Sequence, residues 1–244
     1  MKAIEIEKLR KEYGDVVAVD DLSLTVEEGE VFSLLGVNGA GKTTTIKMLA
    51  GLTLPTSGDA RIFGHSVLTE SDQVKGLIDI SMQETAIARK LTVEENVDFY
   101  AALNGMSKEE IKRAKETCFR TLGLDRVAKK RAAKLSGGWQ RKLSIALALV
   151  TRPKILFLDE PTLGLDVLAR RDLWKVISSM KKDMTIILTT HYMEEAEALS
   201  DRIAIMNQGK LFFVGSKEEL YRVSGKSNVE DAFIEVVSGG EVHE

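Results

Sequence analysis

The sequence predicts an α/β protein with a parallel sheet at its centre, an antiparallel strand region before it and a helical insertion within it. Three observations carry this. Ile4 and Ile6 alternate with Glu5 and Glu7, and Leu22, Leu24 and Val26 alternate with Ser23 and Thr25. A period of two is that of half-buried antiparallel strands. Val31–Leu35 and Ile155–Leu158 are instead short, nearly unbroken apolar runs, as strands covered on both faces of a parallel sheet require. Between them, Thr92 with Glu95 and Ser107 with Glu110 form capping boxes, and Ile111, Ala114, Cys118 and Leu122 recur at helical spacing before a stop at Gly123.

The elements follow in order. A helix over Lys42–Ala50 comes after the first buried strand. Beyond Pro153, a strand over Lys154–Leu158 precedes a helix over Val167–Met180 with apolar Leu168, Leu173, Val176 and Ile177. Thr185–Thr190 reads as a strand and Met193–Leu199 as a short helix. Ile203–Met206 and Leu211–Val214 flank Asn207, Gln208 and Gly209 as a hairpin. Ser216 and Glu219 open another helix, and the tail after Gly225 is expected to dock as a short helix over Ala232–Val237. The expected organisation is one domain over 1–220, with a helical subdomain at about 84–151, and a tail over 221–244.

Composition narrows the function. Lys and Arg number 34 against 37 Asp and Glu, so the 244-residue chain carries a formal charge of −3, which argues against a protein that coats nucleic acid. Cys118 is the one cysteine, so no internal disulfide forms and a reducing compartment is expected; its bland reading is a small core residue. His65, His191 and His243 are too scattered for a zinc site. Met1–Gly14 lacks the apolar stretch of a secretory signal, and no window approaches the ~20 apolar residues of a membrane span. Any work at a membrane would need another chain to do the spanning.

Two motifs carry chemistry from residue type and spacing alone. Gly36-Val37-Asn38-Gly39-Ala40-Gly41-Lys42-Thr43 fits G-x-x-x-x-G-K-[ST], with a buried strand before it and a helix after it. Gly39 and Gly41 let the backbone curl so that successive amides face phosphate oxygens, and the helix start adds positive potential. Lys42 reaches β- and γ-phosphates, and the Thr43 hydroxyl suits Mg²⁺. This is the mark of a P-loop NTPase core. The apolar strand ending in Asp159 and Glu160 sets two carboxylates at its C-terminal edge, where α/β ligands sit. Asp159 suits the metal, and Glu160 suits activation of water.

Leu135-Ser136-Gly137-Gly138, between these two motifs, resembles the signature of ABC-transporter ATPases. Other matches follow in order: Tyr13 resembles the aromatic that stacks on adenine, Gln83 the Q-loop glutamine, Leu163-Gly164-Leu165-Asp166 the D-loop, and His191 the switch histidine. The resemblance covers roughly residues 1–220. It implies ATP and Mg²⁺ as ligands. Gly36, Asn38, Gly39, Ala40, Gly41, Lys42, Thr43 and Thr44 would cradle the phosphates, and Thr43, Gln83 and Asp159 would hold the metal. Glu160, His191, Gln83 and Lys42 would form the catalytic set. Ser136, Gly137 and Gly138 would close on the nucleotide of a second, head-to-tail copy. Transmembrane permease subunits would be the partners, on the cytoplasmic face of a membrane, with no nucleic acid involved. Leu91–Tyr100 and the tail Val229–Gly239 look like segments of ABC-2-type exporter ATPases, which favours export.

Two departures stand out. Val37 replaces a usual proline, which only stiffens the loop. Trp139 replaces a usual glutamine near the opposing ribose; it is bulky, with one donor and no acceptor. Two rivals remain: a soluble ABC-type ATPase acting on DNA or ribosomes, and a weakly hydrolysing regulatory subunit. The lack of excess positive charge weighs against the first, and Glu160 with His191 against the second.

Overall fold

The computed structural model describes residues 1–181 and 183–239; His243 and the end of the tail lie outside them. The chain opens with strands β1 (Lys2–Tyr13), β2 (Val16–Glu27) and β3 (Val31–Leu35), then helix α1 (Lys42–Leu49), strands β4 (Ser57–Ile62) and β5 (His65–Ser66), helix α2 (Ser71–Lys75) and strand β6 (Ile78–Ser81). Three helices follow: α3 (Val93–Leu103), α4 (Lys108–Leu122) and α5 (Gly137–Leu149). The chain then returns to α/β order through β7 (Ile155–Asp159), α6 (Val167–Met180), β8 (Thr185–Thr190), α7 (Met193–Leu199), β9 (Arg202–Asn207), β10 (Lys210–Ser216), α8 (Lys217–Ser224) and α9 (Val229–Ser238).

Two sheets result. The antiparallel one has the order β2-β1-β4-β5, and the larger one the order β10-β9-β3-β8-β7-β6. Within the larger sheet β9, β3, β8, β7 and β6 run parallel, and β10 pairs antiparallel with β9. Side-chain alternation on β7 explains its unbroken apolar sequence. Ile155 and Phe157 enter a core with the antiparallel sheet and α1, while Leu156 and Leu158 enter the core under α3, α5 and α6. Each such buried side chain stabilises the fold by about 1.5–3 kcal/mol. A third cluster seats Leu220, Val229, Phe233 and Val236 of α8 and α9 on Leu35, Ile203 and Ile205.

Local signals hold where they are short-range. Thr92 and Ser107 each form reciprocal capping boxes, as does Ser216. Gln208 and Gly209 both take positive φ in the β9–β10 turn. Helix α5 begins at Gly137, because Ser136 takes extended N-cap dihedrals and the glycines form its first turn. Helix α9 is longer than Ala232–Val237, since the Asn228 side chain caps it by accepting the Asp231 N–H at 2.9 Å. The basic run Lys129, Lys130, Arg131 and Lys134 is exposed, on irregular chain and a 3-10 turn at Ala132–Lys134. Among the described residues no helix is long and apolar enough to cross a membrane.

Candidate active site

The loop between β3 and α1 is held from beneath. Gly36 packs so closely that a Cβ there would lie 2.2 Å from the Met206 carbonyl oxygen, and one on Gly41 would lie 2.5 Å from that of Ala18. Gly39 and Gly41 have φ of 83° and 99°, the left-handed region that glycine adopts without steric cost. The Gly209 amide of the β9–β10 turn donates to the Ala40 carbonyl at 3.2 Å and fixes the loop from the side. Ala40 is therefore buried, while Val37, Asn38 and Gly39 face outward and Thr43 and Thr44 are half-buried. The Lys42 ammonium folds back over the loop, donating to the carbonyls of Gly36 at 2.8 Å and Val37 at 3.1 Å.

The end of β7 meets this loop. Asp159 is fully buried, and its Oδ1 accepts from the Thr43 hydroxyl at 2.9 Å and the Thr189 hydroxyl at 2.6 Å. Its other oxygen, Oδ2, is buried and has no partner among the described residues. An orphaned carboxylate oxygen beside a threonine hydroxyl is a hard oxygen donor set and fits Mg²⁺. Next to it, Glu160 Oε1 lies 3.4 Å from the Lys42 ammonium and Oε2 lies 2.8 Å from His191 Nδ1. Glu160 is only 6% exposed and has φ of 47°, a left-handed backbone that a non-glycine residue adopts at some cost. Lys42, Thr43, Asp159, Glu160 and His191 thus form one connected network at the C-terminal ends of β3, β7 and β8.

Five expected site residues, Tyr13, Gln83, Ser136, Gly137 and Gly138, lie apart from the loop and that network. Tyr13 is half exposed at the tip of the β1–β2 hairpin, opposite Val16, with the Lys11 ammonium 5.0 Å from its ring centre. Its hairpin partner β2 carries the Ala18 whose carbonyl abuts Gly41. Gln83 follows β6 with an exposed side chain. Ser136 is exposed at the N-cap of α5 and its hydroxyl makes no cap bond, while Gly137 and Gly138 open the helix beside it. Among the described residues, the Ser136 hydroxyl shares no hydrogen bond with the network around Lys42.

Sequence reasoning missed Arg141. It lies on α5, is 4% exposed, and all four of its hydrogen bonds go to backbone carbonyls. Nε donates to Pro161 at 2.9 Å, Nη2 to Asp159 at 2.7 Å, and Nη1 to Met82 and, at 3.3 Å, to Gln83. Burial pushes its guanidinium down to about 10, still charged at neutral pH. No signal marked it in the sequence, where Gln140 and Lys142 flank it in a polar stretch ahead of the mostly apolar Leu143–Val150. Glu195 was missed as well: it is fully buried, accepts from the Trp174 indole at 3.0 Å, and burial raises its carboxyl.

The profile of the ABC transporter family matches residues 19–163, a stretch that spans the loop, the Ser136 turn and both carboxylates. The chain belongs to the ABC transporter family. It is 39% identical over 238 residues to the doxorubicin resistance ATP-binding protein DrrA of Mycobacterium tuberculosis, covering 96% of this chain and 70% of that one. It is 45% identical over 213 residues to human ATP-binding cassette sub-family A member 2, covering 86% of this chain but only 9% of that far longer protein. Among solved structures, a dimeric ATP-binding cassette in a post-hydrolysis state, bound to ADP and Pi, superposes with a TM-score of 0.77 at 25% identity. That likeness covers 87% of this chain and 98% of the other.

In this ABC cassette the Trp139 ring is half-buried, with the Lys142 ammonium 4.9 Å from its centre, and Lys142 in turn pairs with Asp172 of α6. The indole is therefore already engaged within its own chain. Asp166 accepts from the amides of Leu168 and Ala169 and caps α6, while Leu163, Val167 and Leu168 around it stay exposed.

Proposed function

We propose that this cassette binds ATP on the Gly36–Thr44 loop, hydrolyses it in a head-to-tail dimer, and so powers transport through separate transmembrane subunits. The observation that supports this best is the network joining Lys42, Thr43, Asp159, Glu160 and His191, which sets a cation, a metal-binding pair and a polarised carboxylate at one sheet edge. The amides of the loop, including those of Asn38, Gly39, Ala40, Gly41 and Thr44, together with Lys42, hold phosphate oxygens. Tyr13 offers its ring to adenine. Thr43, Asp159 and Gln83 would hold Mg²⁺, which when bound supplies positive charge that offsets the charge of the phosphates. Glu160 takes the proton of the attacking water, and His191, 2.8 Å from it, orients that carboxylate toward the γ-phosphate. The exposed Ser136 hydroxyl and the amides of Gly137 and Gly138 approach the same phosphate from a second copy, related by a two-fold axis.

The relative DrrA is named for doxorubicin resistance, which favours export as the direction of transport; in this reading the cassette is peripheral on the cytoplasmic face beside its membrane partner, with no nucleic acid involved. Phosphate release with Mg²⁺ and ATP tests the reading. The native chain is expected to turn over ATP, Lys42→Ala to lose binding, and Glu160→Gln to keep binding while losing at least about 100-fold in rate. A native chain that binds ATP no better than Lys42→Ala would contradict it.

A further inference from the structure

Glu160 sits on a left-handed backbone, with φ of 47°, between two residues whose carbonyls are both gripped by one side chain. Arg141 Nη2 holds the Asp159 carbonyl at 2.7 Å and Nε holds that of Pro161 at 2.9 Å, so one guanidinium bridges the carbonyls of the two residues on either side of Glu160. The third nitrogen, Nη1, reaches across to the carbonyls of Met82 and Gln83, where the chain leaves β6. A guanidinium presents five N–H groups in one rigid plane, and a lysine ammonium or an amide could not hold these segments together in the same way. Arg141 also lies five residues along α5 from Ser136, roughly 7.5 Å at helical rise, so whatever seats the Ser136 turn moves the guanidinium with it.

Resting on the ATPase reading above, we propose that Arg141 is a positioning residue for hydrolysis: it fixes the strained peptide of Glu160, ties it to the backbone of Gln83, and links both to the helix that carries the Ser136 turn. The nucleotide of the opposing copy meets that turn. Arg141 therefore connects closure over one nucleotide to the placement of Glu160 beside the other. No proton moves through Arg141 and it touches no substrate; its effect is on where a carboxylate points.

The test compares native protein with Arg141→Gln and Arg141→Lys in the full chain, by ATP turnover per folded molecule and by hydrogen exchange at single amides. Removing the fork is expected to lower kcat by about 30-fold or more while KM for ATP stays within about three-fold, since misplacing a catalytic group leaves ground-state binding alone. Arg141→Lys, which keeps the charge but not the fork, is expected to recover only part of the rate. The amides of Glu160 and Leu163, bonded to the Thr189 and Glu160 carbonyls, are expected to exchange faster in both variants, and that of Thr45 in α1 to stay unchanged. Should Arg141→Gln not fold, Arg141→Lys carries the same readouts. A variant that is less stable but turns over ATP at the native rate per folded molecule would reduce Arg141 to a strut and overturn the proposal. Unaltered exchange at Glu160 and Leu163 would overturn the clamp itself. A native chain without ATP turnover would instead end the functional reading, with the exchange measurement still deciding whether the clamp exists.

Discussion

At the scale of single residues, close approach sets more of the site than charge does. Gly36 and Gly41 lie against the backbone oxygens of Met206 and Ala18 at distances no side chain tolerates, whereas a Cβ on Gly39 would meet nothing within 4 Å. The three glycines should therefore separate in stability. Gly36→Ala and Gly41→Ala are expected to cost about 1–3 kcal/mol, as overpacked sites do. Gly39→Ala is expected to cost only the roughly 1–2 kcal/mol of a left-handed alanine. Urea unfolding of the three variants measures this order directly; equal costs would mean that the loop is not packed as described. Cys118 lies at the opposite extreme. It is buried on α4, and burial pushes its thiol up to about 12, which leaves it a core residue with no chemistry.

At the scale of elements, the junction of β6 with the helices stores a pH dependence. Asp79 on β6 is pushed up to about 6 from its ordinary 3.8, chiefly by burial; its own strand's Ile80 amide and the hydroxyls of Thr151 and Tyr100 oppose the shift. The folded chain thus binds this proton more tightly than the unfolded one. Stability falls as pH rises from about 4 to about 6, and the cost is complete above that window. Asp79→Asn is expected to stabilise the fold by about 1–2 kcal/mol at pH 7.5, with the gain vanishing below pH 4. Thermal unfolding at the two pH values checks this, and a gain equal at both would show that the carboxylate is not the cause.

Elements also show where sequence reading stops. Helices α6 and α7 and strand β8 take the boundaries that periodicity predicts, because cap, period and burial agree within a few residues. Strand β1 runs far past Ile4 and Ile6 because Lys8, at φ of 47°, inserts a bulge. The buried side chain after Ile6 is then Leu9 rather than Lys8, and the alternation breaks. Spacing located the loop and the two carboxylates, whose motif partners lie a few residues away, and the family resemblance pointed to His191 after β8. Neither located Arg141, whose partners are carbonyls 18 to 59 positions distant along the chain. Contacts to backbone leave no pattern of residue types.

At the scale of the whole molecule, the proposed function makes one chain half of a site: it supplies the network around Lys42 and offers the Ser136 turn, whose exposed hydroxyl makes no cap bond among the described residues, to another copy. Sedimentation of Glu160→Gln tests this most directly, because slowed turnover preserves the closed state. With Mg²⁺ and ATP the account predicts twice the mass of one chain, and without nucleotide a single chain. Adding Ser136→Arg at its exposed position should keep ATP binding and return the protein to one chain. A nucleotide-bound species that stays monomeric before that second substitution, or a dimer that survives it, would contradict the account.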